Sequence, residues 1–280
     1  MTRSRGVRGS RPGTRTIFVA VSGLGSAALV TSISALSVGS DGTAVVVAVV
    51  GGTVVLGVAA LITIVCALRM SKTDDQAAWA AIGVALALTT GASGLRAGQM
   101  LAGSSFIRAG VAEVTYIAGA TLLLIALVGW PLRYRGSVRL ATVAAEAVVA
   151  TVAILGLAWT FVGRAILESA GEYGGIGPNQ AAQFLAFLAV LGLGAVFTFV
   201  SAVNLRRVTP LGSWALLALA AALIVTGDAA WLADVTDASW MPGSLGDFVH
   251  IAGHVLVAVG ASWHLDETQE AAQGVRSAAE

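Results

Sequence analysis

The chain has 280 residues, of which 57% are hydrophobic and only 11% are charged, and its formal net charge at pH 7 is +1. Water-soluble domains carry about 25% charged residues, and disordered chains lack apolar side chains, so this composition excludes both classes. The basic residues are spread along the chain rather than clustered, which argues against a nucleic-acid partner. With a mean hydropathy of +0.86, the sequence predicts an integral membrane protein whose main partner is the lipid bilayer.

Eight apolar segments are each long enough to cross about 30 Å of hydrocarbon as an α-helix. In chain order these segments are 17–38, 43–68, 76–95, 111–130, 140–163, 181–204, 211–233 and 245–265. Runs such as Ala44–Val50 lack the alternation of apolar and polar residues that barrel strands show. The sequence therefore predicts an all-α, polytopic bundle of eight transmembrane helices. An Arg-rich N-terminal segment (1–16) precedes the bundle, and a short polar tail (266–280) follows it.

The basic residues predict how the spans are oriented. If the N-terminus is cytoplasmic, thirteen of the sixteen basic residues lie on the cytoplasmic side, and Arg96, Arg108 and Arg164 lie on the other side. Cytoplasmic loops carry such an excess of positive charge, so both termini are predicted to be cytoplasmic in a multi-pass protein of the cell membrane. Tryptophans near span ends, such as Trp79 and Trp214, are then expected to anchor at the membrane interface.

Two stretches of the chain, 134 residues apart, resemble each other. Glu113–Gly119 (EVTYIAG) matches Asp247–Gly253 (DFVHIAG) in its acid, its ring and its Ile-Ala-Gly ending. Similarity of this length also arises by chance between helices rich in Ala, Leu and Val. If it reflects a duplication, the halves are about 17–130 and 140–265. Four spans per half preserve direction, which predicts two parallel repeats related by an axis along the membrane normal.

Acidic and histidine side chains near one end of the last spans form the candidate site. A charged residue within a span is costly, so its presence needs a functional or structural reason. On the eighth span, Asp247, His250 and His254 share one helix face by their spacing. Histidine titrates near neutral pH, so we predict an outward-facing acidic/His site for ligand or proton sensing. Its candidate residues are Asp228, Asp247, His250, His254, Glu113 and Tyr116.

Other interpretations of the histidines stay open. Polar side chains in membranes commonly form hydrogen bonds between helices, and His250 and His254 are suited to that role. Imidazole and carboxylate groups also bind transition metals, so Asp247, His250 and His254 are weaker candidates for a metal site. The pattern His250-x3-His254 resembles a late motif of membrane hydrolases that include alkaline ceramidases and adiponectin-receptor-like proteins. That family has a further histidine in an early span, whereas no histidine precedes His250 in this chain.

The second half of the chain is similar to a region of known signalling proteins. The residues that carry the similarity are Arg206-Arg207, Trp214, Gly227-Asp228, 242–247 (PGSLGD) and 253–264 (GHVLVAVGASWH). They resemble the N-terminal multi-span region that precedes the GGDEF and EAL domains of GC-rich bacterial proteins, which make and degrade cyclic di-GMP. The resemblance covers about residues 60–265 and implies a sensor or membrane anchor. Because 266–280 carry no catalytic domain, it also implies a separate cytoplasmic effector or a homo-oligomer as partner.

These observations favour a non-enzymatic sensory, signalling or scaffolding membrane module. The first alternative is a small transporter or permease built from the two parallel repeats, and the second is a membrane-embedded metal hydrolase. No nucleophile with an adjacent base is recognisable, so no catalytic residue and no cofactor are predicted.

Overall fold

The structure, a computed structural model, describes residues 12–36, 43–70, 74–102, 109–132, 140–158, 178–205, 211–236, 241 and 243–277. These residues form helices and short connections, and no strand occurs among them. The helices are α1 (Thr14–Leu36), α2 (Thr43–Val46), a π-helical turn (Val47–Gly51), α3 (Gly52–Arg69), α4 (Asp74–Ala102), α5 (Ala109–Leu132), α6 (Leu140–Ala158), α7 (Pro178–Leu205), α8 (Leu211–Thr236) and α9 (Leu245–Ser277).

Seven helical stretches among the described residues are long and apolar enough to cross a membrane. They include α2, the π-helical turn and α3 as one continuous span, Ala44–Arg69. The prediction of a multi-pass helical membrane protein is therefore confirmed. The predicted fifth span appears as α6, whose apolar part is the shorter Ala141–Ala153, and residues 159–163 of that span lie outside the described residues. The count of eight spans thus stays a prediction.

The last helix is longer than the predicted span. Helix α9 continues to Ser277, through residues that the sequence analysis assigned to a polar tail. Residues 266–277 are rich in Glu, Gln and Ala, which are strong helix formers and allow the helix to continue beyond its apolar part.

Helix α9 is the central element of the bundle. Within its apolar part 67% of the residues are buried, the largest share of any span. It packs most extensively against α8, and also against α3 and α1. Two further rows of contacts build the bundle: α3 packs on α4 and α4 on α5, while α6 packs on α7 and α7 on α8. Helices α5 and α7 also pack against each other, which joins the two rows.

One end of the bundle, which we name the tryptophan end, is held by three buried indole rings. Trp79, Trp130 and Trp214 are 0% exposed, and the rings of Trp130 and Trp214 stack with centroids 3.7 Å apart. The expectation that Trp79 and Trp214 anchor at the membrane interface is therefore wrong. Their rings face the junction of α4, α5, α8 and α9, where aromatic stacking and burial favour the interior of the bundle.

A buried polar network surrounds these rings. Asp75 on α4 accepts a hydrogen bond from Trp130 Nε1 at 3.1 Å, and its other carboxylate oxygen lies 3.3 Å from His264 Nε2. The second ring nitrogen of His264 lies 3.1 Å from the hydroxyl of Ser213 on α8. Buried polar groups need such partners, and these contacts join four helices at the tryptophan end.

Candidate functional site

A cavity of about 160 Å³ lies at the opposite end of the bundle, which we name the cavity end. The π-helical turn, α3, α4, α5, α7, α8 and α9 all contribute to its wall. The wall is mostly apolar, with a small set of aromatic and polar side chains. Those side chains are Thr53, Ser93, Arg96, Tyr116, Phe184, Asp228, Trp231, Asp247 and His250.

Asp228 is the centre of the polar contacts in this cavity. It is only 7% exposed and accepts a hydrogen bond from the Tyr116 hydroxyl through Oδ2. Its other oxygen, Oδ1, lies 3.0 Å from Nδ1 of His250. A buried carboxylate is tolerated only when its oxygens have such donors. The structure therefore brings together three of the predicted residues, one each from α5, α8 and α9.

A close approach between α8 and α9 places Asp228 beside His250. A Cβ atom on Gly227 would lie 2.6 Å from the backbone nitrogen of His250, closer than real Cβ atoms come. Only glycine therefore fits at this crossing, in the way that small residues let membrane helices approach. The two functional side chains are paired because the residue that precedes Asp228 has no side chain.

Asp247 lines the cavity, and its carboxylate also caps α9. Its Oδ2 accepts hydrogen bonds from the backbone nitrogens of Gly243 at 2.8 Å and Ser244 at 3.3 Å. In return, Ser244 Oγ accepts a hydrogen bond from the backbone nitrogen of Asp247 at 3.2 Å. This reciprocal pair is a capping box, which satisfies backbone donors at the start of a helix. The sequence analysis assigned Asp247 to ligand or proton sensing and missed its capping role.

His254 lies outside the cavity wall and links two helices. Its Nδ1 lies 3.0 Å from the backbone oxygen of His250, and its Nε2 lies 3.3 Å from the hydroxyl of Thr89 on α4. In the first contact Nδ1 donates, because a carbonyl oxygen only accepts. These contacts match the interhelical hydrogen-bonding alternative for His254. Glu113 lies on α5, but its side chain is outside the described residues.

Arg96 is a charged residue of this cavity that was not among the predicted site residues. Its guanidinium carbon lies 5.6 Å from the ring centroid of Tyr116 and 5.3 Å from that of Trp231. Both distances are typical of cation–π contacts. With the described residues it forms no hydrogen bond or ion pair. The sequence signal was its position directly after the predicted third span (76–95), where it was used only to orient the chain.

The cavity therefore carries both signs of charge, whereas the sequence analysis expected an acidic patch. Arg96 supplies N–H donors, and Asp228 and Asp247 supply carboxylate oxygens beside the His250 ring. Such a wall suits a small polar molecule held by a few directed groups in an apolar pocket. Among the described residues, no group of three His, Cys, Asp or Glu side chains is arranged to hold a metal ion.

No protein-family model, curated protein or solved structure matches this chain.

Proposed function

We propose that this protein is a non-enzymatic sensory or scaffolding membrane module whose cavity binds a small polar ligand. The observation that carries the proposal is Arg96, whose guanidinium lines a cavity without a hydrogen bond or ion pair to any described residue. A charge in a membrane protein is costly unless it has a partner or a use. A ligand with a carboxylate or another anionic group would supply an acceptor for this guanidinium.

The pairing of Asp228 supports a role in signal transmission. Its two donors, Tyr116 and His250, come from different halves of the chain. A ligand that competes for this carboxylate, or that draws Arg96 away from the Tyr116 ring, changes how α5 meets α8 and α9. Binding would in this way shift one half relative to the other. A ligand can drive such a change only if its contacts differ between the two arrangements, as they would here.

Similar packing in the two halves supports the proposed parallel repeats. A Cβ atom on Gly119 would lie 2.8 Å from the backbone oxygen of Ala85, and one on Gly253 would lie 2.9 Å from that of Ala220. Gly119 and Gly253 are equivalent positions in the proposed duplication, and Ala85 and Ala220 are separated by nearly the same spacing. The contacts of α3 with α9 and of α5 with α7 are likewise equivalent pairs across the halves.

A transporter is the second candidate function, and one observation favours it. The π-helical turn Val47–Gly51 interrupts a membrane span and contributes Ala48 and Val49 to the cavity wall. Such turns frequently occur at functional sites, and interrupted helices mark the substrate sites of many transporters. Uptake of a bound compound into proteoliposomes that contain the purified protein would support transport. Binding without uptake supports the sensory function.

The wider setting of the proposed module follows from the sequence. The excess of basic residues favours a cytoplasmic position for both termini. The resemblance to the membrane regions of GGDEF and EAL signalling proteins implies that a separate effector acts on the same cytoplasmic side. In this arrangement the cavity end faces outward and the tryptophan end faces the cytoplasm.

The test is a ligand screen on the purified protein in detergent, with amino acids, short carboxylates and short amines as probes and the unfolding temperature as readout. We expect at least one probe to raise the unfolding temperature of the wild type, and both Arg96→Gln and Asp228→Asn to reduce that shift. Glu146→Gln is the matched control, because this carboxylate is exposed on α6 and lies outside the cavity wall. If Glu146→Gln and Asp228→Asn respond alike to every stabilising probe, the cavity is not a binding site.

A further inference from the structure

A second crevice, of about 260 Å³, lies at the tryptophan end among α1, α3 and α9. Its floor is apolar and its rim carries two arginines, one from α1 and one from α3. The lining residues are Arg15, Val19, Leu61, Ile62, Val65, Cys66, Arg69, Ser262 and Leu265. It shares no residue with the cavity described above.

The two arginines leave this crevice with an excess of positive charge. Arg15 lies 3.6 Å from Asp266, which also accepts a hydrogen bond from the Thr16 hydroxyl at 2.7 Å. Arg69 is exposed at the end of α3 and forms no hydrogen bond or ion pair with any described residue. Arg15 therefore has a carboxylate partner, whereas Arg69 has none among the described residues and can bind an anion.

The surroundings of the crevice are lipid-facing. Leu61 is 60% exposed and Val65 is 36% exposed, which in a membrane protein means contact with acyl chains. Only 17% of the apolar part of α1 is buried, so the helix that forms one wall is itself largely surrounded by lipid. An occupant must therefore combine an apolar chain with an anionic group located where the spans end.

We propose that this crevice binds one anionic phospholipid. Its acyl chain lies against Leu61, Val65 and Leu265, and its phosphate binds the guanidinium of Arg69, with Arg15 adjacent. Basic pockets between helices on the cytoplasmic side recognise anionic headgroups in this way. Arginine is suited to the task because its planar fork donates two hydrogen bonds to one phosphate.

The experiment is native mass spectrometry of the full-length protein, delipidated in detergent and then offered phosphatidylglycerol and phosphatidylcholine in equal amounts. We expect the wild type to retain phosphatidylglycerol preferentially and Arg69→Gln to reduce that preference about fivefold. A fivefold change corresponds to about 1 kcal/mol, which is the usual contribution of one arginine near an anionic membrane surface. Glu146→Gln, which removes an exposed charge on α6 outside both cavities, is the control and should keep the wild-type preference.

Cys66, the single cysteine of the chain, lines the crevice and supplies a second readout that needs no variant. Phosphatidylglycerol should slow alkylation of its thiol in detergent, whereas phosphatidylcholine and inorganic phosphate should not. Equal retention of the two lipids by the wild type, or an unchanged preference in Arg69→Gln, would overturn the proposal. Protection of Cys66 by inorganic phosphate alone would also overturn it, because the site would then bind an anion without its lipid.

Discussion

At the scale of single residues, the site depends on how one buried carboxylate is satisfied. Asp228 has a donor on each of its oxygens, and both donors come from other helices. Arg96 contributes no bond to this arrangement and instead lies over two aromatic rings. Among the described residues, the charged groups of the cavity therefore divide into a bonded set and Arg96, which has no hydrogen bond or ion pair, and we assign ligand recognition to Arg96.

Replacement of Tyr116 by phenylalanine removes one of the two donors. The hydrogen bond joins a buried hydroxyl to a carboxylate, and such bonds contribute about 1.5–3 kcal/mol. We expect the free energy of unfolding in mixed micelles to fall by about that amount. Thr115→Val is the control, since its hydroxyl bonds only to Val111 of the same helix. A Tyr116→Phe protein as stable as the Thr115→Val protein would contradict the described contact.

The capping box of α9 gives a second prediction at this scale. Ser244→Ala and Asp247→Ala should each reduce stability by about 1 kcal/mol, the usual effect of losing a helix cap. Because the two side chains form one reciprocal pair, the double variant should lose less than the two single losses combined. Strictly additive losses, measured by unfolding in mixed micelles, would mean that Asp247 acts through other partners.

At the scale of the elements, the crossing of α8 and α9 determines the geometry of the site. Gly227 allows the close approach, and Gly253 repeats it further along α9, where a Cβ atom would lie 2.9 Å from the backbone oxygen of Ala220. The start of α9 is fixed by Gly243, whose φ of +80° is a backbone conformation that other residues rarely adopt. The glycines thus position His250 relative to Asp228.

Substitution of Gly227 by alanine tests this account. The added methyl group would collide with the backbone of His250, which cannot rotate away, so we expect a loss of about 1–3 kcal/mol from overpacking and loss of ligand response. Gly91→Ala is a close control, because Gly91 also lies within a membrane helix and a Cβ atom there meets nothing within 4 Å. Gly91→Ala should be neutral or slightly stabilising, since alanine is the better helix former. Similar losses for both variants would show that the crossing is not specifically tight at Gly227.

At the scale of the whole molecule, the two ends of the bundle differ in character. The interior of the tryptophan end is filled by stacked rings and a buried network of Asp75, His264 and Ser213, and its crevice lies on the lipid-facing side. The cavity end is open enough to hold a small molecule and carries both signs of charge. This asymmetry suits a module that is held together at one end and responds at the other.

The predicted orientation belongs to this scale. The N-terminal segment and the loops on the same side of the membrane carry the excess of positive charge, which predicts that both termini are cytoplasmic. Fusion of an enzymatic reporter that works only outside the cytoplasm should give no signal at either terminus, while a fluorescent reporter that folds only in the cytoplasm should give signal at both. Active external reporters at both termini would reverse the assignment of the ends and place the proposed lipid crevice in the opposite leaflet, and activity at only one terminus would contradict an even number of spans.

The amino-acid sequence by itself determined the class of the protein, the position of its helices and most of the candidate residues. The reason is that backbone groups in lipid must bond within their own segment, so apolar runs are helical wherever they pack, and charged residues within them stand out. Only the tertiary structure decided which candidates meet. Tyr116 and Asp228 are 112 residues apart, and Thr89 and His254 are 165 apart. Such contacts depend on helix rotation and crossing, which are determined by close approaches at residues such as Gly227 and not by hydropathy.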